Sequence, residues 1–204
     1  MTQTNMEMNS PKILFIGGIV AGAAASSLVF FVYRSVSRPA AQEALAPSQA
    51  GAKVDCTVTE AQKTVQGVSL GNLIKDGSKI KALENYYACA SAGRGDIVEY
   101  QSGASVAPLV KVVMGVPGDL FDLAKAKSGG WNILINGTIL ENSDAKPYVV
   151  NDQAYRILAL YVHDYKGVIP SDAYLIMGEV PGGSLDSTRF GLVGRTDFLG
   201  KVSQ

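Results

Sequence analysis

The chain has 204 residues, 47% of them hydrophobic, and 18 basic side chains balance 18 acidic ones. No basic run or stripe occurs, so the electrostatic footprint of a nucleic-acid binder is missing. A single histidine, His163, and two cysteines, Cys56 and Cys89, lack the spacing of a zinc site.

Residues 1–12 form a polar tail. Ile13 to Tyr33 follow as 21 consecutive residues without a charge. That length suits a helix crossing a bilayer. It exceeds the apolar core of a cleaved signal peptide, about 7–15 residues. A transmembrane anchor is therefore expected over 13–33. Lys12 precedes it and Arg34 and Arg38 follow it. By the positive-inside rule these flanks lean slightly towards a cytoplasmic C-terminal side. Residues 34–53, rich in Ala, Pro and Gln, read as a linker. Ala44-Leu45-Ala46 imitates a cleavage site, but the arginines interrupt the usual arrangement, so an uncleaved anchor is expected. Residues 54–204 are enough for one well-buried domain.

From Lys53 onwards, short apolar runs alternate with turn residues. Strands are expected at Val54–Val58, Lys79–Leu83, Asp96–Tyr100, Leu109–Val116, Ala173–Met177 and Phe190–Val193. Asn136-Gly137 lies between Asn132–Ile135 and Thr138–Leu140, a strong hairpin signal. Tyr155–His163 fits either a strand or a short helix. The fold class is mainly β, an antiparallel domain. Cys56 and Cys89 suit either one disulfide, given an oxidising compartment, or two buried thiols.

Two residues stand out chemically. Ser69 lies in Val65-Gln66-Gly67-Val68-Ser69-Leu70-Gly71, a glycine-flanked turn. A serine hydroxyl is a weak nucleophile until a base takes its proton. His163, in Tyr161-Val162-His163-Asp164-Tyr165, carries no sign of meeting a serine. Lys111 sits in the apolar run Leu109–Val116, with Leu109 and Val113 on its face of a strand. Such a lysine is either an edge residue snorkelling to water or a buried functional amine. As a base it must be neutral, and burial favours that form. Bringing it to a pKa of about 7–8 takes roughly 3–5 kcal/mol of differential interaction. Gly183-Ser184-Leu185-Asp186 reads as a surface turn or as a support for that amine. Asp186 would fix this loop by pairing with Arg189 or Arg94.

Taken together, these stretches resemble the type I signal peptidases, membrane-anchored Ser/Lys peptidases, from about Gln66 to Lys201. Val68-Ser69-Leu70 with Asp76-Gly77 resembles the serine box. Arg94-Gly95-Asp96-Ile97-Val98 matches a family strand, and Val110-Lys111 through Gly115-Val116-Pro117-Gly118-Asp119 resembles the lysine box. Ile135-Asn136-Gly137 resembles the following hairpin. Gly178 with Ser184-Leu185-Asp186-Ser187 resembles the last box. The departures mark a divergent member. Leu70 stands for Met, Asn72 for Pro, Val112 for Arg and Glu179-Val180 for Asp-Asn, while Gly67 lacks the serine hydroxyl some members carry there.

The resemblance implies a signal-peptidase or LexA-like β domain behind one transmembrane helix. Ser69 would be the nucleophile, Lys111 the general base, and Ser184 and Asp186 supporting groups. Val68 and Leu70 would contact substrate. No cofactor or metal is implied. The partners would be exported preproteins, cut after small residues, and the lipid bilayer, with the domain on the extracytoplasmic side. This placement opposes the weak charge lean. Two other readings are a specialised maturation peptidase of the conjugative-transfer type and a catalytically silent, membrane-anchored β-domain that binds exported proteins.

Overall fold

A computed structural model describes residues 55–203, apart from 104 and 106. The expected anchor at 13–33, the tail and the linker lie outside the described residues. Among the described residues no helix is long and apolar enough to cross a membrane.

Eleven strands and two α-helices are formed among the described residues. They run β1 (Thr59–Thr64), β2 (Lys79–Glu84), β3 (Ile97–Tyr100), β4 (Leu109–Gly115), β5 (Phe121–Lys125), β6 (Trp131–Ile135), β7 (Thr138–Ile139) and β8 (Val149–Val150). Helix α1 (Asp152–Asp164), β9 (Ala173–Met177), α2 (Ser187–Phe190), β10 (Val193–Gly194) and β11 (Phe198–Ser203) complete the chain. All the described strand pairings are antiparallel. The larger sheet has the order β1-β2-β11-β3-β4-β9-β10. The smaller is β5-β6-β7, with β8 also paired to β6.

Strand β4 lies inside the larger sheet, between β3 and β9, which is why its sequence is a nearly continuous apolar run. Two apolar clusters form. Val112, Met114, Leu175 and Met177 of the larger sheet pack with Phe121, Ile133 and Ile135 of the smaller sheet, with Leu158 of α1, and with Leu70 and Ile74. Val98, Val113, Tyr174, Ile176 and Phe198 make the second cluster. Each fully buried aliphatic side chain stabilises the fold by about 1.5–3 kcal/mol. The first cluster fastens the two sheets, α1 and the Ser69 turn to one another.

Two expectations change, and one open alternative is decided. The described part of Val54–Val58 is irregular, and the first strand is Thr59–Thr64 instead. That strand is a polar sheet edge, so it shows no apolar alternation, and Asn85 holds the irregular segment by donating to the carbonyls of Asp55 and Thr57. Tyr155–His163 is helical, within α1, whose Asn151 cap accepts the Ala154 N–H at 2.9 Å. Phe190–Val193 is divided between the end of α2 and the start of β10, because Asp186 caps a helical turn there. The hairpin stands where Asn136-Gly137 implied it, with φ of 52° and 79° at the two turn residues.

Candidate active site

The turn bearing Ser69 is tied at both ends. The Val65 N–H donates to the Ser78 carbonyl, and the Gly77 N–H returns to the Val65 carbonyl, each at 2.9 Å. Gly67 has a φ of 93°, a left-handed conformation that glycine adopts without strain, and its N–H donates to Asp76 Oδ1 at 2.8 Å. Asp76 thus fixes the bend just before the serine. Leu70 and Ile74 are 1% and 4% exposed and anchor the turn in the first cluster. Leu70 is therefore a core side chain, whereas Val68 is 69% exposed beside Ser69. The Ser69 carbonyl accepts the Glu179 N–H at 2.7 Å. Among the described residues no acceptor takes the Ser69 N–H.

Lys111 is brought to this turn by β4. The ladder pair Val112↔Met177 sets the register, which carries Lys111 to the level of Gly178. Its side chain is deeply buried, with 2% of the residue exposed. Nζ lies 3.0 Å from Ser69 Oγ and donates to the Val110 carbonyl at 3.0 Å. Burial lowers the amine's pKa, and the negative charge of Asp186 opposes that shift without reversing it. An interior lysine with no ion-pair partner favours the neutral form, and a neutral amine can accept the serine proton.

The loop from Ser184 to Thr188 closes the site from the other side. Asp186 is 3% exposed and makes no pair with Arg189 or Arg94. Its carboxylate instead accepts the Gly178 N–H at 3.0 Å, the Thr188 N–H at 3.0 Å and the Thr188 hydroxyl at 2.7 Å. Three neutral donors satisfy this carboxylate, as is usual for a helix cap. Arg94 is bound elsewhere, to Asp119 at 2.7 Å. Asp119 also accepts the Val116 N–H and the Asn136 amide, so it braces the turn after β4.

Ser184 is buried, and its hydroxyl makes no hydrogen bond. The expected bond to Lys111 is not formed, because the amine donates to the Val110 carbonyl instead. Ser184 nevertheless belongs to this site. A Cβ at Gly178 would strike the Ser184 side chain and come within 2.9 Å of the Ser69 carbonyl. Only glycine lets these two serines approach so closely.

His163 stands on the last turn of α1, with a side chain 88% exposed and 2.9 Å from Asp164. Among the described residues no group of three or more His, Cys, Asp or Glu side chains is arranged to hold a metal ion. Cys56 and Cys89 form a disulfide with a Cα–Cα distance of 5.6 Å.

A buried lysine lies against a serine on a tight turn, in an antiparallel β domain, and a serine next to a base is chemically able to act as a nucleophile. The family model for signal peptidase, peptidase S26, matches residues 52–204. The chain belongs to this signal peptidase family, as a divergent member. It is similar to signal peptidase IB of Staphylococcus aureus, with 26% identity over 147 residues, covering 69% of this chain and 74% of that protein. The same figures hold for the enzyme from several strains. It also resembles a crystal structure of a signal peptidase I from Enterococcus faecalis. There the identity is 20% and the TM-score 0.41, over 56% of this chain and 98% of the other.

Proposed function

We propose that the protein is a membrane-bound serine endopeptidase that removes signal peptides from exported preproteins, cutting after small residues. Family membership supports a peptidase acting on signal peptides. The observation that carries the finer reading is the 3.0 Å approach of the buried Lys111 amine to Ser69 Oγ. A silent binding module has no use for a buried lysine held against a serine, since that burial is unfavourable for the charged amine.

In the reaction the neutral Lys111 amine takes the Ser69 proton as Oγ attacks the scissile carbonyl. The Ser69 N–H, which has no acceptor among the described residues, supplies a donor to the oxyanion. Gly67 has no side chain to add a second one, and its φ of 93° disfavours a serine there. The Lys111 ammonium then protonates the leaving amine, and the acyl group remains on Ser69. Water, deprotonated by Lys111, releases it. The unpaired Ser184 hydroxyl is the group we assign to receive an N–H of the neutral amine, since a buried unsatisfied hydroxyl is uncommon outside functional sites. Asp186 acts on the loop through its cap. Val68 contacts the substrate next to the cut bond, and Leu70 supports it from the core.

Residues 13–33 anchor the enzyme, and residues 34–53 link the anchor to the peptidase domain at 54–204. The domain lies on the extracytoplasmic side, where the Cys56–Cys89 disulfide persists. Purified wild-type protein should cleave a preprotein with small residues at the first and third positions before the cut. Ser69→Ala and Lys111→Ala should lose that cleavage by a factor on the order of 10⁴ or more, with unchanged circular dichroism. Undiminished cleavage by either folded variant would sink the proposal.

A further inference from the structure

The Ser69 backbone rests on one dipeptide, Gly178-Glu179, and the partners of that dipeptide can be followed group by group. The Gly178 N–H goes to Asp186 at 3.0 Å, and the Glu179 N–H goes to the Ser69 carbonyl at 2.7 Å. Both carbonyls and the side-chain carboxylate turn the other way, to the segment beyond β7. The Tyr148 hydroxyl donates to the Gly178 carbonyl at 2.7 Å. The Asn142 side chain donates to the Glu179 carbonyl at 2.8 Å, and the Ser143 N–H donates to the Glu179 carboxylate at 2.8 Å.

That segment is itself cross-linked by hydrogen bonds. Asn142 Oδ1 accepts the N–H groups of Asp144 and Lys146 at 3.0 and 2.9 Å, and the Asn142 N–H donates to the Lys146 carbonyl at 2.9 Å. Asn142, Tyr148 and Glu179 are 7%, 2% and 4% exposed, so little water competes for these bonds. A direct tie to the nucleophile turn runs alongside, from the Asn72 amide to Asp144 at 3.4 Å.

The geometry points to a positioning role for Tyr148, Asn142 and Glu179: the loop between β7 and β8 of the small sheet grips Gly178-Glu179 and so fixes where Ser69 stands relative to Lys111. This rests on the reading of Ser69 as the nucleophile. It gives the small sheet a part in catalysis, although none of its residues touches the reacting atoms. Glu179 is also where the chain departs from the family's Asp. The longer side chain reaches the Ser143 N–H at 2.8 Å.

The test is steady-state cleavage of a fixed peptide substrate by the full-length chain in detergent, with thermal melting of each variant. Tyr148→Phe removes one hydroxyl and keeps the ring. Glu179→Ala removes the clasp to Ser143, and Glu179→Gln keeps an acceptor there. Positional errors near 1 Å cost about 100-fold in rate. Glu179→Ala should therefore lose about 10-fold to 100-fold in kcat, and Tyr148→Phe about 10-fold, with KM little changed. Glu179→Gln should recover most of the loss. The pH inflection should stay in place in all three, because Lys111 remains buried. If folded Tyr148→Phe and Glu179→Ala keep the wild-type kcat, the positioning role is wrong. Should Glu179→Ala not fold, Tyr148→Phe decides alone. Ser69→Ala, run in parallel, keeps the two ideas apart: if it cleaves like wild type, the nucleophile assignment fails whatever the clasp variants do.

Discussion

At the scale of single residues, the proposed chemistry depends on a lysine whose burial lowers its pKa. Because burial lowers the Lys111 pKa, the folded state binds fewer protons there than the unfolded chain between the folded pKa and the ordinary lysine value of about 10.4. Stability therefore rises with pH through that window, and below it the full penalty of a buried ammonium remains. Activity should rise with pH through the same depressed pKa, with its inflection below that of a free lysine. A kcat/KM profile against pH measures this, and an inflection at the ordinary lysine value would contradict it. Lys111→Met should abolish cleavage while leaving the domain at least as stable at neutral pH, as read by chemical denaturation. Gly178→Ala tests the packing between the two serines. The added methyl meets the Ser184 side chain and the Ser69 carbonyl. It should cost about 1–3 kcal/mol of stability and about 100-fold in kcat, both measurable on purified protein.

At the scale of elements, the disulfide and the edge strand show what residue order can and cannot disclose. Cys56 and Cys89 are separated by 33 residues, and closing a loop of that size stabilises a domain by about 4 kcal/mol in the chain-entropy view. A Cys56→Ser/Cys89→Ser variant should melt about 10 °C lower and keep its kcat, since neither cysteine touches the Ser69–Lys111 pair. A calorimetric scan and a cleavage assay check both halves. Central strands β4 and β9 were legible because burial on both faces demands uninterrupted apolar residues, and the β6–β7 hairpin was legible from Asn136-Gly137. Strand β1 was not, since an edge strand of Thr, Glu, Gln and Lys carries no apolar period. The cap on α2 was hidden as well. Asp186 reads as a charge in search of an arginine, and only the folded loop shows the Gly178 and Thr188 donors that satisfy it. Ser69 and Lys111 stood out by residue type and setting. The Asn142–Tyr148 grip left no local trace, because its partners lie 30 and 37 positions apart.

At the scale of the whole molecule, the described domain is two antiparallel sheets and a helix sharing one core cluster, with the site where β4, β9 and the Ser69 turn meet. Anchoring by residues 13–33 would confine that site to a membrane surface, where signal peptides are presented. Added protease should digest the domain in intact cells whose outer barrier has been opened, as read by immunoblotting; full protection would place it in the cytoplasm. The central claim, that Ser69 attacks and Lys111 activates it, is tested most directly by trapping the covalent intermediate. The full-length protein is mixed with a slowly hydrolysed peptide ester, quenched in acid, and mapped by mass spectrometry. The acyl group should be found on the peptide containing Ser69, and it should be absent from Ser69→Ala and Lys111→Ala. An acyl group on any other residue, or equal labelling of the Ser69→Ala protein, would contradict the account.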